Sequence, residues 1–285
     1  MNRAMISALL LAALTQPVVM AKGMTRDDDY VFVDHKAVRD KPDAQLDPAK
    51  AYLMYRLNGI SPLYLIKEPT EADLAEYARL RGEALAEAQE DYPKDRTRYE
   101  RRLQRWNLNP VGDPPEEPVE PTDENFEFTP IEQLEMFSIG PLNRFAKNTV
   151  SVYLEELPPG TYRIYGLLRQ PNGDARPGLC FCMGSVRFEV RAGEVTDLGF
   201  LDMPALNAMQ DPTDHETPLR VFGSLPEGVD LDSRIVASGL PLRAADLHPA
   251  GKLPNYFGVA TYRIPAIPGV IAYDRDRIID LTAKQ

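Results

Sequence analysis

Between residues 150 and 201 apolar and polar positions alternate with the period of a β-strand, and turn residues punctuate the alternation. Val150, Val152 and Leu154 alternate with Ser151, Tyr153 and Glu155, which predicts a strand with one apolar face. Pro158-Pro159-Gly160 follows: Pro159 presets φ at the second turn position, and Gly160 accepts the positive φ that a type II turn needs next. Residues 161–168, rich in β-branched and aromatic side chains, predict the returning strand. Val186, Phe188 and Val190 alternate with Ser185, Arg187 and Glu189, and Ala192-Gly193 turns that strand into residues 195–201. Asn172-Gly173 marks the tip of a loop over residues 169–178. The expectation is four consecutive antiparallel strands, joined by two more at 51–57 and 62–67 around the turn residues Asn58-Gly59.

Over residues 70–106 the period changes from two to that of a helix. Thr70 is a good N-cap with Asp73 three residues on, and Leu74, Ala78, Arg81, Leu85, Ala88 and Tyr92 define one stripe. Pro93 interrupts, then Tyr99, Leu103 and Trp106 resume the spacing. Residues 71–91 carry seven acids against two arginines, and 94–106 six bases against two acids. A helical hairpin and a single Pro-kinked helix both fit. The hairpin is favoured, because Pro is tolerated in the first turn of a new helix and a compact insertion needs its ends close. Residues 107–124, rich in Pro and Glu, should run extended and return the chain along the helix, against Tyr99 or Trp106. A strand near 134–139 leads back to the sheet. Further on, 218–222 and 234–238 read as short strands around Pro226-Glu227-Gly228. Residues 253–281 read as a C-terminal wrap with an edge strand at 270–273.

Leu157-Pro158-Pro159-Gly160-Thr161-Tyr162, with Phe188-Glu189-Val190 and Ala192-Gly193-Glu194, resembles small bacterial envelope β-sandwiches of the transthyretin-like or carboxypeptidase-regulatory-like type. The resemblance covers about the middle fifth of the chain. It implies an accessory binding or structural module and no catalytic residues. The fold class expected is therefore mainly β: an antiparallel β-sandwich, immunoglobulin/transthyretin-like, with an inserted α-helical segment and a loop-rich C-terminal extension. Residues 51–201 form the sandwich domain, with the helical insertion at 70–106 and the linker at 107–124. Residues 22–50 are a polar N-terminal segment, and 202–285 pack on the sandwich.

Composition adds a compartment. Arg3, an apolar run over residues 6–14 and Val19-Met20-Ala21 predict a secretory signal peptide over residues 1–21, cut before Lys22. The mature chain is then periplasmic or secreted, with no integral membrane segment. The formal net charge of −11 argues against nucleic-acid partners and leaves an envelope protein or glycan as the expected one. Against that acidity, Lys94, Arg96, Arg98, Arg101, Arg102 and Arg105 form a basic patch. It reads either as a contact for an anionic partner, through Arg98, Arg101, Arg102 and Arg105 above all, or as a solvated helix face.

Cys180-Phe181-Cys182-Met183 is the most specific chemical feature. Parity with Val186 and Phe188 points both cysteines at the core if the strand is unbroken. Three readings stand: buried free thiols, which are favoured; a disulfide, which needs a bulge because residues two apart in a strand are ~6.6–6.8 Å apart; and a soft metal site for copper using Cys180, Cys182 and Met183. Asp27-Asp28-Asp29 reads as a solvated acidic run. His35, His215 and His248 lack the spacing of a helical zinc site, and the chain holds no G-x-S-x-G, P-loop or G-x-G-x-x-G. The reading is a non-catalytic module.

Overall fold

The strands expected over residues 150–201 all form, but they divide between two sheets. The structure, a computed structural model, describes residues 19–20, 30–58, 62–147, 150–168, 178–202 and 231–283. Its strands are β1 (Val19–Met20), β2 (Lys36–Ala37), β3 (Ala51–Asn58), β4 (Leu63–Lys67), β5 (Phe126–Glu127), β6 (Met136–Ile139), β7 (Ala146–Lys147) and β8 (Ser151–Leu157). They continue with β9 (Gly160–Leu168), β10 (Gly178–Val190), β11 (Val195–Asp202), β12 (Leu242–Ala244), β13 (His248–Gly251), β14 (Ala260–Arg263), β15 (Ile271–Asp274) and β16 (Arg277–Asp280). The helices are α1 (Glu71–Leu108), α2 (Ile131–Leu134) and α3 (Ser233–Ala237). The chain is mainly β, built largely from antiparallel pairings.

One compact unit holds residues 29–70 and 131–285, the other residues 1–28 and 71–130. In the first, one six-stranded sheet runs β13-β10-β9-β4-β6 with β14 joined to β10, and another runs β12-β11-β3-β8-β2 with β7 joined to β8. Thus β8 and β11 belong to one sheet and β9 and β10 to the other. The Pro158-Pro159-Gly160 and Ala192-Gly193 turns carry the chain between sheets and close no hairpin, which corrects the expected four-stranded run. The cause lies in β8, which is buried on both faces. Val152 and Leu154 pack with Tyr52, Met54, Phe145 and Ile235, while Tyr153 is also buried and Glu155 is only 4% exposed. Such a strand needs covering on each side. Its neighbour is β3, antiparallel to β8 and parallel to β11, whereas β4 pairs antiparallel with β9 and β6.

Aromatic side chains fill the space between these strands. Tyr55 and Tyr153, cross-strand partners, stack at 4.9 Å, and their hydroxyls donate to the carbonyls of Ile139 (3.0 Å) and Pro141 (3.1 Å) at the end of β6. Burial holds the Tyr55 hydroxyl well above its ordinary pKa. Tyr162 stacks on Phe188 and meets Phe137 edge-on. Two charged pairs lie among them, Lys67–Glu135 buried and Arg56–Asp197 half-buried. Lys67 Nζ lies 3.1 Å from Glu135 Oε2, and Arg56 makes two 2.9 Å bonds to Asp197 across β3 and β11.

The C-terminal residues wrap as expected, by other pairings. β13 pairs antiparallel and β14 parallel with β10, while β15, where an edge strand was expected at 270–273, pairs with β16 as a separate hairpin. Residues 233–237 form α3 instead of the expected strand. Asp232 caps its N-terminus by accepting from the Arg234 N–H at 2.9 Å, and that cap outweighs the β-branched content.

The other unit is built on α1, one continuous helix of 38 residues with Pro93 inside it. This corrects the favoured hairpin; at 1.5 Å per residue the helix is about 57 Å long. It starts immediately after Thr70, as the cap predicts. Its covered stripe runs through Tyr77, Leu80, Leu85, Tyr92, Tyr99, Leu103 and Trp106 and keeps phase across Pro93; Leu74, expected in that stripe, is 49% exposed. The Pro-rich segment returns along the helix. Glu117 meets Arg96, the Pro121 carbonyl accepts from Gln89 at 3.0 Å, Asp123 meets Arg81 at 2.8 Å, and Phe128 packs on Tyr77. Prolines lack N–H groups, so this segment offers carbonyls and carboxylates to the helix's donors. Val19–Met20 pairs in parallel with β5. Residues 1–18 of the expected leader, Asp27-Asp28-Asp29, Gly59, the Asn172-Gly173 tip, residues 218–222, Pro226-Glu227-Gly228 and His215 lie outside the described residues.

Candidate functional site: a cleft beside β2

β2 spans two residues, Lys36 and Ala37, opposite Glu156 and Glu155 of β8. The chain then continues along the same edge, with the Val38 N–H donating to the Leu154 carbonyl (2.9 Å) and the Asp40 N–H to Arg144 (3.0 Å). Arg234 fixes the following turn. Its guanidinium donates to Asp40 (2.8 Å), to the Lys41 carbonyl (2.8 Å) and to the Phe145 carbonyl (2.7 Å), and lies 4.2 Å from the Phe145 ring centre. Hydrogen bonding from Arg234 also holds the Asp232 carboxyl below its ordinary pKa.

The opposite wall is the turn at residues 140–143, held by the Tyr55 and Tyr153 hydroxyls. Gly140 has φ +70°, and a Cβ there would lie 2.8 Å from the Tyr55 hydroxyl oxygen, so this position requires glycine. Between the walls lies a cleft of ≈ 1150 Å³, with Tyr52 and Tyr64 in its lining. Tyr52 accepts from the Asp47 N–H at 2.8 Å, and burial raises its pKa.

Charge in the cleft is unevenly committed. His35 Nδ1 meets Glu155 Oε1 at 2.7 Å, with its ring against Phe137, and Glu156 pairs with Lys50 at 3.2 Å. Asp40 is taken by Arg234. Lys36, Arg39 and Lys41 also line the cleft, and among the described residues none of them has an ion-pair partner. Three uncommitted cations beside tyrosine and proline surfaces can hold an anion that carries an apolar or sugar-like body.

The residues singled out from sequence lie elsewhere. Cys180 and Cys182 are joined, with S–S 2.02 Å and Cα–Cα 5.1 Å, which corrects the favoured free thiols. The bulge that a disulfide needs is present: residues 181–186 of β10 face only residues 164–165 of β9. That irregularity also breaks the alternation. The cysteines pack with Ile66, Tyr165, Leu168 and, from the C-terminal wrap, Leu253 and Val259, whereas Phe188 packs on Tyr162. Joined sulfurs offer no thiolate pair to copper, and Met183 is 40% exposed while both cysteines are buried. Among the described residues no group of three or more His, Cys, Asp or Glu side chains is placed to hold a metal.

The basic patch divides. Lys94 pairs with Asp91, Arg96 with Glu100 and Glu117, and Arg98 with Asp95, while Arg101, Arg102 and Arg105 have no carboxylate partner among the described residues. His248 meets Thr282 and Asp246. Sequence reasoning missed the His35–Glu155 pair, whose members are 120 residues apart. One signal was available: Glu155 and Glu156 are adjacent in a strand, so parity sends one acid to each face. Comparison with protein-family models, curated proteins and solved structures finds no match for this chain.

Proposed function

We propose that the chain is an exported, non-catalytic binding module of the bacterial cell envelope that takes an anionic ligand in the cleft beside β2. The observation that carries this reading is the set Lys36, Arg39 and Lys41, uncommitted around a cleft of ≈ 1150 Å³ in a protein of net charge −11. Export is supported by the Cys180–Cys182 disulfide, since disulfides persist in oxidising compartments. The two six-stranded sheets are read as an immunoglobulin- or transthyretin-like sandwich. Supporting that finer assignment, Tyr55 and Tyr153 of one sheet bond the end of β6 in the other.

An acidic envelope glycan has the required chemistry, with carboxylates for the cations and sugar faces for the tyrosines. Calorimetric titration with a galacturonate oligomer, beside a neutral glucose oligomer of equal length, tests it. The acidic oligomer should bind saturably, one per chain, and Arg39→Ala should weaken it by about 10-fold, the value of one charge-assisted hydrogen bond. Equal binding of both oligomers, or of neither, would sink the reading.

A further inference from the structure

We propose that the C-terminal end of α1 is a docking tip for an anionic phospholipid surface, separate from the cleft beside β2. Along the basic half of α1 the first cations are neutralised by neighbours, and Arg101, Arg102 and Arg105 are not. From Arg101 to Leu108 there is no acid; the nearest are Glu100, already paired with Arg96, and the exposed Asp113. Helix C-termini favour bases through the macrodipole, which would account for the arginines alone.

It does not account for the aliphatic side chains beside them. Leu108 is 83% exposed and Val111 75%, among the most exposed large hydrophobic residues described. Leu108 ends α1, and Val111 lies in the hydrogen-bonded bend that follows. The Asn109 N–H donates to the Arg105 and Trp106 carbonyls, the Trp106 Nε1–H donates to the Gly112 carbonyl at 3.2 Å, and Gly112 takes the left-handed conformation (φ +75°) that bends the chain there. Water gains nothing from Leu and Val held out in this way. Cations ringing aliphatic groups and a tryptophan suit the bilayer interface, where guanidinium meets lipid phosphate and apolar side chains enter the acyl boundary. Single-stranded nucleic acid would instead need aromatic faces open for stacking, and Trp106 is half-buried and hydrogen-bonded.

Trp106 is the only tryptophan, so its emission reports on this tip alone; residues 6–14, which could also partition into lipid, contain none. The full chain is titrated with vesicles of phosphatidylcholine alone and of phosphatidylcholine mixed with phosphatidylglycerol. Emission should shift to the blue with the anionic vesicles only, and rising salt should reverse the shift. Each arginine should contribute about 5-fold to partitioning, so R101E/R102E/R105E, which also adds repulsion, should weaken it by at least about 100-fold. L108D/V111D should remove the blue shift, and all these positions are exposed enough for helical circular dichroism to stay unchanged. The proposal is overturned by no shift with anionic vesicles at low salt, by an equal shift with phosphatidylcholine alone, or by charge-reversed protein that partitions like the wild type. An equal shift with polyphosphate in place of vesicles would also overturn it, because the occupant would then be an anionic polymer.

Discussion

The unit of two sheets and the unit built on α1 hold their chains by different means. The largest fully buried side chains, Tyr52, Tyr55, Tyr153, Tyr162, Tyr165, Phe181 and Phe188, lie on strands of the two sheets, and Phe145 lies just before β7. The 38-residue helix buries only Asp73, Leu80, Leu85 and Tyr99. It relies instead on pairs of side chains one turn apart, such as Arg79 with Glu76 and Glu83, and on a return segment whose carboxylates and carbonyls meet its arginines. Burial in the sheets makes each contact expensive to lose. In the helical unit many exposed contacts share the work, each weak and sensitive to salt.

The largest effect expected from this contrast is at Lys67 and Glu135. Their side chains are 5% and 0% exposed, so removing one takes a close counter-charge away from the other inside the protein. Lys67→Ala should cost about 3–5 kcal/mol in urea unfolding, while the double variant Lys67→Met/Glu135→Leu should recover most of that. A single variant that unfolds like the wild type would show that the charged pair is solvated and that the contrast between the units is overstated.

A smaller effect of opposite sign is expected in the helix. Pro93 removes one helical N–H and crowds the preceding turn, so Pro93→Ala should stabilise α1 by up to about 3 kcal/mol. Amide hydrogen exchange over residues 89–97 would slow, and exchange in the sheets would not. If those amides exchange at the wild-type rate, Pro93 is accommodated without cost and the continuity of the helix needs another explanation.

The sequence carried a signal for that continuity, but Pro93 and the need for close ends favoured the hairpin instead. The spacing Tyr92, Tyr99, Trp106 keeps one helical phase across Pro93, which a hairpin does not require. The strands themselves were legible, because β4, β6, β8, β9, β10 and β11 follow local alternation and turn chemistry. Their partition between two sheets was not, since a Pro-Pro-Gly turn and an Ala-Gly turn fix local direction and leave open which strand lies alongside. The Cys180–Cys182 geometry depended on a bulge whose far side is Ile164 and Tyr165 of another strand. The cleft was the least visible feature, because β2, the turn at 140–143 and Arg234 meet only in the folded chain. Arg234 falls in the stretch expected as a strand, and the cap at Asp232 places it on α3 instead.

The smallest expected effect lies in the helix's surface pairs and tests how they work. Arg79 bonds both carboxylate oxygens of Glu76, and those hydrogen bonds hold the Glu76 carboxyl below its ordinary pKa. A carboxyl with a depressed pKa in the folded state stabilises fully above its unfolded value, about 4.3, and loses that contribution as pH falls through the folded value. Thermal melts followed by helical circular dichroism should therefore separate wild type from Glu76→Gln near pH 6 and bring them together as the carboxyl protonates at lower pH. High salt at neutral pH should narrow the same gap by screening this exposed pair. A gap that stays constant across pH and salt would assign the effect of Glu76 to helix propensity alone. The helical unit would then owe less to its charges than the sheet unit owes to its one buried Lys–Glu pair.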